Sequence, residues 1–105
     1  MTQSNENTQN TVKTAASDVQ YGLQLFIAGN EPNSVKAKEN LIKICEKYIN
    51  GTYALEVVDI LREFQKAIDN GVLVTPMLII KKPEPETTIV GCLTDEEQVK
   101  KALRV

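Results

Sequence analysis

Leu23-Gln24-Leu25-Phe26-Ile27-Ala28-Gly29-Asn30-Glu31-Pro32-Asn33-Ser34-Val35 is the stretch that decides the fold. Its first five residues alternate into an apolar end, the pattern of a strand buried in a sheet. Small and polar residues then turn the chain, and Asn33 or Ser34 can offer an oxygen to an unpaired backbone N–H at a helix start. Along that helix Val35, Lys38, Leu41, Ile42, Cys45, Tyr48 and Ile49 recur at three- and four-residue spacing. The Lys38 stem can lie along apolar surface. Asn50-Gly51 ends the helix, with Gly supplying a left-handed residue.

Downstream, Tyr53 to Ile60 reads as a second strand. A strand reached through a helix runs parallel to its predecessor by a right-handed crossover. Leu61, Phe64, Ala67 and Ile68 mark a short helix that Asn70-Gly71 ends. Val74-Thr75-Pro76 precedes a third strand, Met77 to Ile80, and a Pro in that place is often cis. Thr87 to Val90 is a fourth strand, and the polar turn from Lys81 to Glu86 makes the pair an antiparallel hairpin. Thr94 is placed to cap a last helix. Asp95, Glu96 and Glu97 stand at its positive end, and Lys100, Lys101 and Arg104 in its last turn. The order βαβαββα with a mixed four-stranded sheet is an α/β class, the thioredoxin-like topology. In such domains the Gly29 corner carries redox cysteines; here it carries none.

The chain has 105 residues, enough for one domain. Between Thr2 and Asp18 the only large apolar residue is Val12, so residues 1–18 are expected to be a disordered polar tail or a short partner-binding arm, and residues 19–105 the domain. Twelve basic against 14 acidic residues give a net charge of −2, without the basic stripe of a nucleic-acid binder. No apolar run is long enough to span a membrane, and the polar N-terminus does not read as a secretory signal. A cytoplasmic protein is expected, with its two thiols reduced.

With no His and two Cys, a metal site has almost no ligands to draw on, and no cofactor is expected. Cys45 lies on the apolar stripe of the first helix and is expected to pack as a small hydrophobe. Cys92, after Gly91 at the end of the last strand, is open to the reading of a regulatory thiol. The two stand 47 positions apart, which excludes a dithiol oxidoreductase. Asp59 closes the second strand, where the carboxyl end of a parallel strand often carries a site, although a helix cap or a solvated strand end is the plainer account of it. Thr75-Pro76 sits where thioredoxin-like proteins present backbone groups to an extended peptide or to glutathione, or serves as a rigid turn. Spacing alone gives a small α/β binding domain.

Three blocks together resemble the KaiB family: Ala28 to Val35, Tyr53 to Leu61, and Leu73-Val74-Thr75-Pro76. The resemblance runs from about Tyr21 to Arg104, and the sensory domain of the SasA histidine kinase shares the superfamily. With no kinase following Val105, the expectation is a KaiB-like chain rather than a kinase sensor. The resemblance implies a non-enzymatic regulator that binds a KaiC-type ATPase in a circadian clock, a timer or a stress response. It further implies a KaiA-like protein or a sensor histidine kinase as additional partners, a homodimer or homotetramer, and an alternative ground-state fold of the C-terminal half. Rare fold switching is physically accessible when two packings differ by a few kcal/mol.

The family pattern has an Asp where this chain has Cys92 after Gly91, and a Gly and an acidic residue where it has Ala102 and Arg104. Ala favours helix over Gly by about 1 kcal/mol, and a cation suits a helix C-terminus. These four positions are the candidate determinants of fold state, and they predict that the chain rests in the thioredoxin-like form. The resemblance places the partner-binding face near the Asp59–Pro76 helix and its flanks. Candidate contacts are Asn30, Pro32, Asn33, Asp59, Glu63, Lys66, Thr75 and Pro76, although charged residues such as Glu63 and Lys66 are more often merely solvated. The other readings are a thioredoxin-like module taking a peptide or thiol ligand at the Asn30 corner and Pro76, and an enzyme using Cys92 alone.

Overall fold

The computed structural model describes residues 19–105 in full and the backbone of residues 11–14. The elements are β1 (Thr11–Thr14), β2 (Tyr21–Ile27), α1 (Pro32–Tyr48), β3 (Tyr53–Asp59), α2 (Phe64–Asp69), β4 (Met77–Lys82), β5 (Thr87–Val90) and α3 (Glu96–Leu103). One sheet holds the strands in the order β1-β3-β2-β4-β5. β2 and β3 run parallel, from Tyr21 opposite Tyr53 to Ile27 opposite Asp59. β4 is antiparallel to β2, and β5 to β4. Strands β2 to β5 with the three helices form the expected mixed sheet in βαβαββα order.

Residues 11–14 correct the reading of the tail. Expected within a disordered segment, they pair antiparallel with β3, Thr11 opposite Val57 and Thr14 opposite Ala54. Composition says only that this segment builds no core of its own. A ladder along the open edge of β3 satisfies its backbone groups without one. Residues 1–10 and 15–18 of that expected tail lie outside the described residues.

Helix starts also move. α1 begins at Pro32, one to two residues before the expected caps, because Pro has its φ preset and lacks the N–H that a first turn leaves unpaired. Glu31 caps it, its carboxylate accepting from the Ser34 N–H at 3.0 Å. Asp95, not Thr94, caps α3 by accepting from the Gln98 N–H. Arg104 lies just beyond α3, in the left-handed region at φ 65°, rather than within its last turn.

Alternation along the strands splits the core in two. On one face Leu23, Leu25, Leu55, Val57, Leu78 and Ile80 meet Leu41, Ile44 and Cys45 of α1 and Val99 and Leu103 of α3. The buried apolar residues described on the other face are Phe26, Val58, Met77 and Ile79, with Ile60 and Val72 half-buried beside them. That second face carries α2, as the ion pair between Lys66 and Glu56 shows.

Candidate functional site

The parallel strands β2 and β3 finish at the same end of the sheet, where β4 begins opposite Phe26 and β5 ends opposite Met77. Four candidate segments therefore converge there. Gly29 turns at φ 54°, and its N–H donates to Asp59 Oδ1 at 3.0 Å. The same oxygen accepts from the Leu61 N–H at 3.0 Å. Asp59 thus staples the β2–α1 corner to the start of the β3–α2 connection. Ser34, fully buried, accepts from the Ala28 N–H at 3.1 Å and completes the corner. A Cβ on Gly29 would stand 3.1 Å from Leu61 Cδ1, so the two loops touch.

Asn30, Pro32 and Asn33 are exposed on this corner. The Thr75-Pro76 peptide is cis, Pro76 is buried, and its carbonyl accepts from the Gly91 N–H at 3.0 Å. Asn30 and Thr75 line different hollows. Asn30 lines a groove of about 310 Å³ with Ile27, Val35 and Ile42. Thr75 lines a hollow of about 100 Å³ with Ile60, Val72, Leu73 and Val74.

Glu63 and Lys66 are not free surface charges. Lys66 Nζ lies 2.5 Å from Glu56 Oε2 and 3.5 Å from Glu63 Oε1. Gln24 Nε2 donates to Glu56 Oε1 at 3.0 Å. Burial alone would raise the Glu56 carboxyl, but the bonds from Gln24 and Lys66 outweigh it and hold it below its ordinary value. The bond to Glu56 holds the Lys66 ammonium above its own. Lys81 Nζ reaches Asn70 Oδ1 at 3.4 Å. The row Glu63, Lys66 and Asn70 of α2 thus faces the polar part of the sheet formed by Gln24, Glu56 and Lys81. Gln24 Oε1 and Glu63 Oε2 are buried there without a donor among the described residues.

The consequence is a helix turned inside out. The residues that mark α2 in the sequence point to water: Leu61 is 72 % exposed, Phe64 66 % and Ile68 53 %, and only Ala67 is buried. Leu73 at 90 % and Val74 at 49 % extend this apolar surface to the Thr75 hollow. Sequence reasoning named the charged residues here and missed the apolar ones. The available signal was the polar trio Gln24, Glu56 and Lys81 on the sheet face that α2 must cover, which requires the polar side of the helix.

Cys45 is buried, and burial pushes its thiol up to about 12, so it packs as expected. Cys92 is half-buried, and its carbonyl accepts from Asn40 Nδ2 at 2.8 Å. Among the described residues no cluster of three His, Cys, Asp or Glu side chains could hold a metal ion, and no helix is long and apolar enough to cross a membrane.

Residues 24–105 match the family model of the KaiB domain. The chain is 44% identical over 79 residues to the circadian clock oscillator protein KaiB of Microcystis aeruginosa, covering 75% of this chain and 76% of that protein. It is equally similar to circadian clock oscillator protein KaiB1 of Synechocystis, at 44% over 79 residues and 75% of each chain. Among solved structures, the N-terminal domain of Synechococcus elongatus SasA superposes with a TM-score of 0.61 at 25% identity, over 82% of this chain and 85% of that one. The Drosophila thioredoxin Deadhead superposes at 0.65 with 14% identity, over 83% and 81%, and shares the fold.

Proposed function

Because this chain belongs to the KaiB family, we propose that it is a non-enzymatic clock-type regulator that docks on a KaiC-type ATPase through the flank of α2. The observation that carries the docking surface is the exposure of the apolar residues Leu61, Phe64, Ile68, Leu73 and Val74 in and around α2. Monomeric proteins rarely leave large contiguous apolar surface in water without a partner for it. Asn30, Pro32 and Asn33 are exposed on the corner whose Gly29 approaches Leu61, and would form the polar rim. Asp59 and Pro76 act beneath the surface by fixing its loops, and Thr75 lines its hollow. Glu63 and Lys66 anchor α2 from below.

The regulator acts in the cytoplasm, with a KaiA-like protein or a sensor histidine kinase as further partners and a homo-oligomer as an available assembly. It rests in the thioredoxin-like form. This is supported by Val99 and Leu103, buried on the inner side of α3, and by Ala102, half-buried against the same core. The timer or stress-response setting follows from the ATPase it serves.

The test is capture of the KaiC-type ATPase of the same organism by this protein, with and without ATP. Nucleotide-dependent capture that is lost in Phe64→Ala is expected. Failure to capture in every nucleotide state, by a protein that is folded, would overturn the reading.

A further inference from the structure

The dipeptide Asn-Gly occurs twice, at Asn50-Gly51 and at Asn70-Gly71, and each pair stands at the end of a helix. Asn is a thermolabile residue, and a Gly after it has no Cβ to shield its backbone nitrogen. Both glycines lie in the left-handed region, Gly51 at φ 86° and Gly71 at φ 69°, with open space where a side chain would stand. Backbone class therefore does not tell the two pairs apart. Hydrogen bonding does.

At the second pair both reacting groups are held. Asn70 Nδ2 donates to the Lys66 carbonyl at 2.8 Å, and Asn70 Oδ1 accepts from Lys81 Nζ at 3.4 Å. The Gly71 N–H donates to the Ile68 carbonyl at 3.1 Å. At the first pair neither group is held. Asn50 is exposed, and among the described residues neither its side-chain amide nor the Gly51 N–H has a hydrogen-bond partner. The Asn50 amide is free to turn back on the chain, and the Gly51 nitrogen is free to meet it.

We propose that Asn50 is a self-modification site of the folded chain, and that Asn70 is spared by its hydrogen bonds. The Gly51 backbone nitrogen gives up its proton and attacks Cγ of Asn50. The bond from Cγ to Nδ2 breaks, and that nitrogen leaves with a proton as ammonia while a succinimide ring closes. Water opens the ring at either carbonyl, giving aspartate or isoaspartate, and nothing is oxidised or reduced.

The place of the reaction gives its product a structural effect. Asn50 lies just beyond the C-terminal end of α1, where an added negative charge is unfavourable. Thr52 ties the joint to β3. Its N–H and hydroxyl donate to the Ile49 carbonyl at 3.1 and 2.9 Å, and its own carbonyl accepts from the Gln20 and Tyr21 N–H groups at 2.8 and 3.1 Å. Isoaspartate adds a backbone carbon between Ile49 and Thr52, which loosens this tie and with it the start of β2. The joint lies at the end of the sheet opposite Asp59, so the site does not rest on docking through α2.

The experiment ages the full chain in mildly alkaline buffer, with and without urea, and follows both Asn-Gly peptides by mass mapping and isoaspartyl methylation. In the folded chain Asn50 converts about tenfold or more faster than Asn70, a margin set by the hydrogen bonds that must break at the second pair. In urea the two rates converge, because the dipeptide is the same. In the aged folded chain the Gln20 and Tyr21 amides exchange faster with solvent, whereas Asn50→Asp, which keeps the backbone length, leaves them near the parent. Equal rates at the two pairs in the folded chain overturn the proposal, as does an Asn50 that persists unchanged. A difference that survives in urea also overturns it, since sequence neighbours and not the fold would then set the rates. Isoaspartate that leaves Gln20 and Tyr21 exchange unchanged overturns the effect on β2.

Discussion

The two faces of this sheet are finished by opposite rules. On one, α1 and α3 lay apolar stripes onto Leu23, Leu25, Leu55 and Leu78, and Leu41, Val99 and Leu103 are sealed from water. On the other, α2 sets Glu63, Lys66 and Asn70 toward the sheet and leaves Leu61, Phe64 and Ile68 outside. The difference begins with length. The 17 residues of α1 give it a full apolar stripe, whereas the six of α2 make fewer than two turns. So short a helix cannot sustain itself and depends on its anchors. Ala67, the Lys66–Glu56 pair and the Lys81–Asn70 contact supply them. One face is built for stability, and the other keeps its apolar surface available.

Deleting volume from the sealed face gives the largest expected effect. Leu41→Ala empties a fully buried site and costs about 2–5 kcal/mol in chemical unfolding. A loss as small as that of a surface change would erase the distinction between the faces. The seam between them comes next. Asp59→Ala leaves the Gly29 and Leu61 N–H groups without their acceptor, a loss of about 1–3 kcal/mol. Asp59→Asn keeps an acceptor oxygen and recovers most of it, which the same unfolding measurement tests. Gly29→Ala follows. A side chain at φ 54° costs about 1–2 kcal/mol, and its Cβ must also displace Leu61, 3.1 Å away.

Those differences explain what the sequence made legible. The βαβαββα order of elements, the long helix and the buried Cys45 were readable because α1 and its strands obey one period each and bury what is apolar. The cis Thr75-Pro76 peptide was readable from Pro chemistry at a strand start. β1 was not, because its stability comes from the ladder offered by β3 and not from its own composition. The caps at Glu31 and Asp95 were misplaced by one to three residues because several adjacent side chains can serve, and only backbone direction chooses among them. The exposed apolar surface escaped because three- and four-residue spacing marks a helix without saying which side meets the sheet. The polar residues Gln24 and Glu56, 32 positions apart, decide that.

A smaller effect probes the polar layer under α2. Glu56 is held below its ordinary value of 4.5, so its contribution is complete above that value and is lost as pH falls through the lower folded one. Lys66 is held above 10.5, so its contribution is complete below that value and is lost as pH rises through the higher folded one. The window of added stability therefore lies between these limits. Its height is about 1 kcal/mol or less, because the side chains remain 40% exposed for Lys66 and 25% for Glu56 and water screens the pair. Glu56→Gln should flatten the acid limb of stability against pH. A limb unchanged by that substitution would place the stabilisation of α2 in Ala67 and Asn70 instead.

The smallest change in stability belongs to the residue with the largest expected role in binding. Phe64 is 66 % exposed, so truncating it removes little buried surface, and Phe64→Ala should shift unfolding by less than about 0.5 kcal/mol in either direction. The same substitution should abolish capture of the ATPase, since aromatic side chains at the centre of an interface carry much of its energy. A combined measurement of unfolding and capture separates the two roles. If Phe64→Ala destabilises the chain as Leu41→Ala does, α2 is packed more tightly than its exposure indicates and the contrast between the faces fails. If stability holds and capture also holds, the contrast stands, and the partner must dock elsewhere than on the α2 flank.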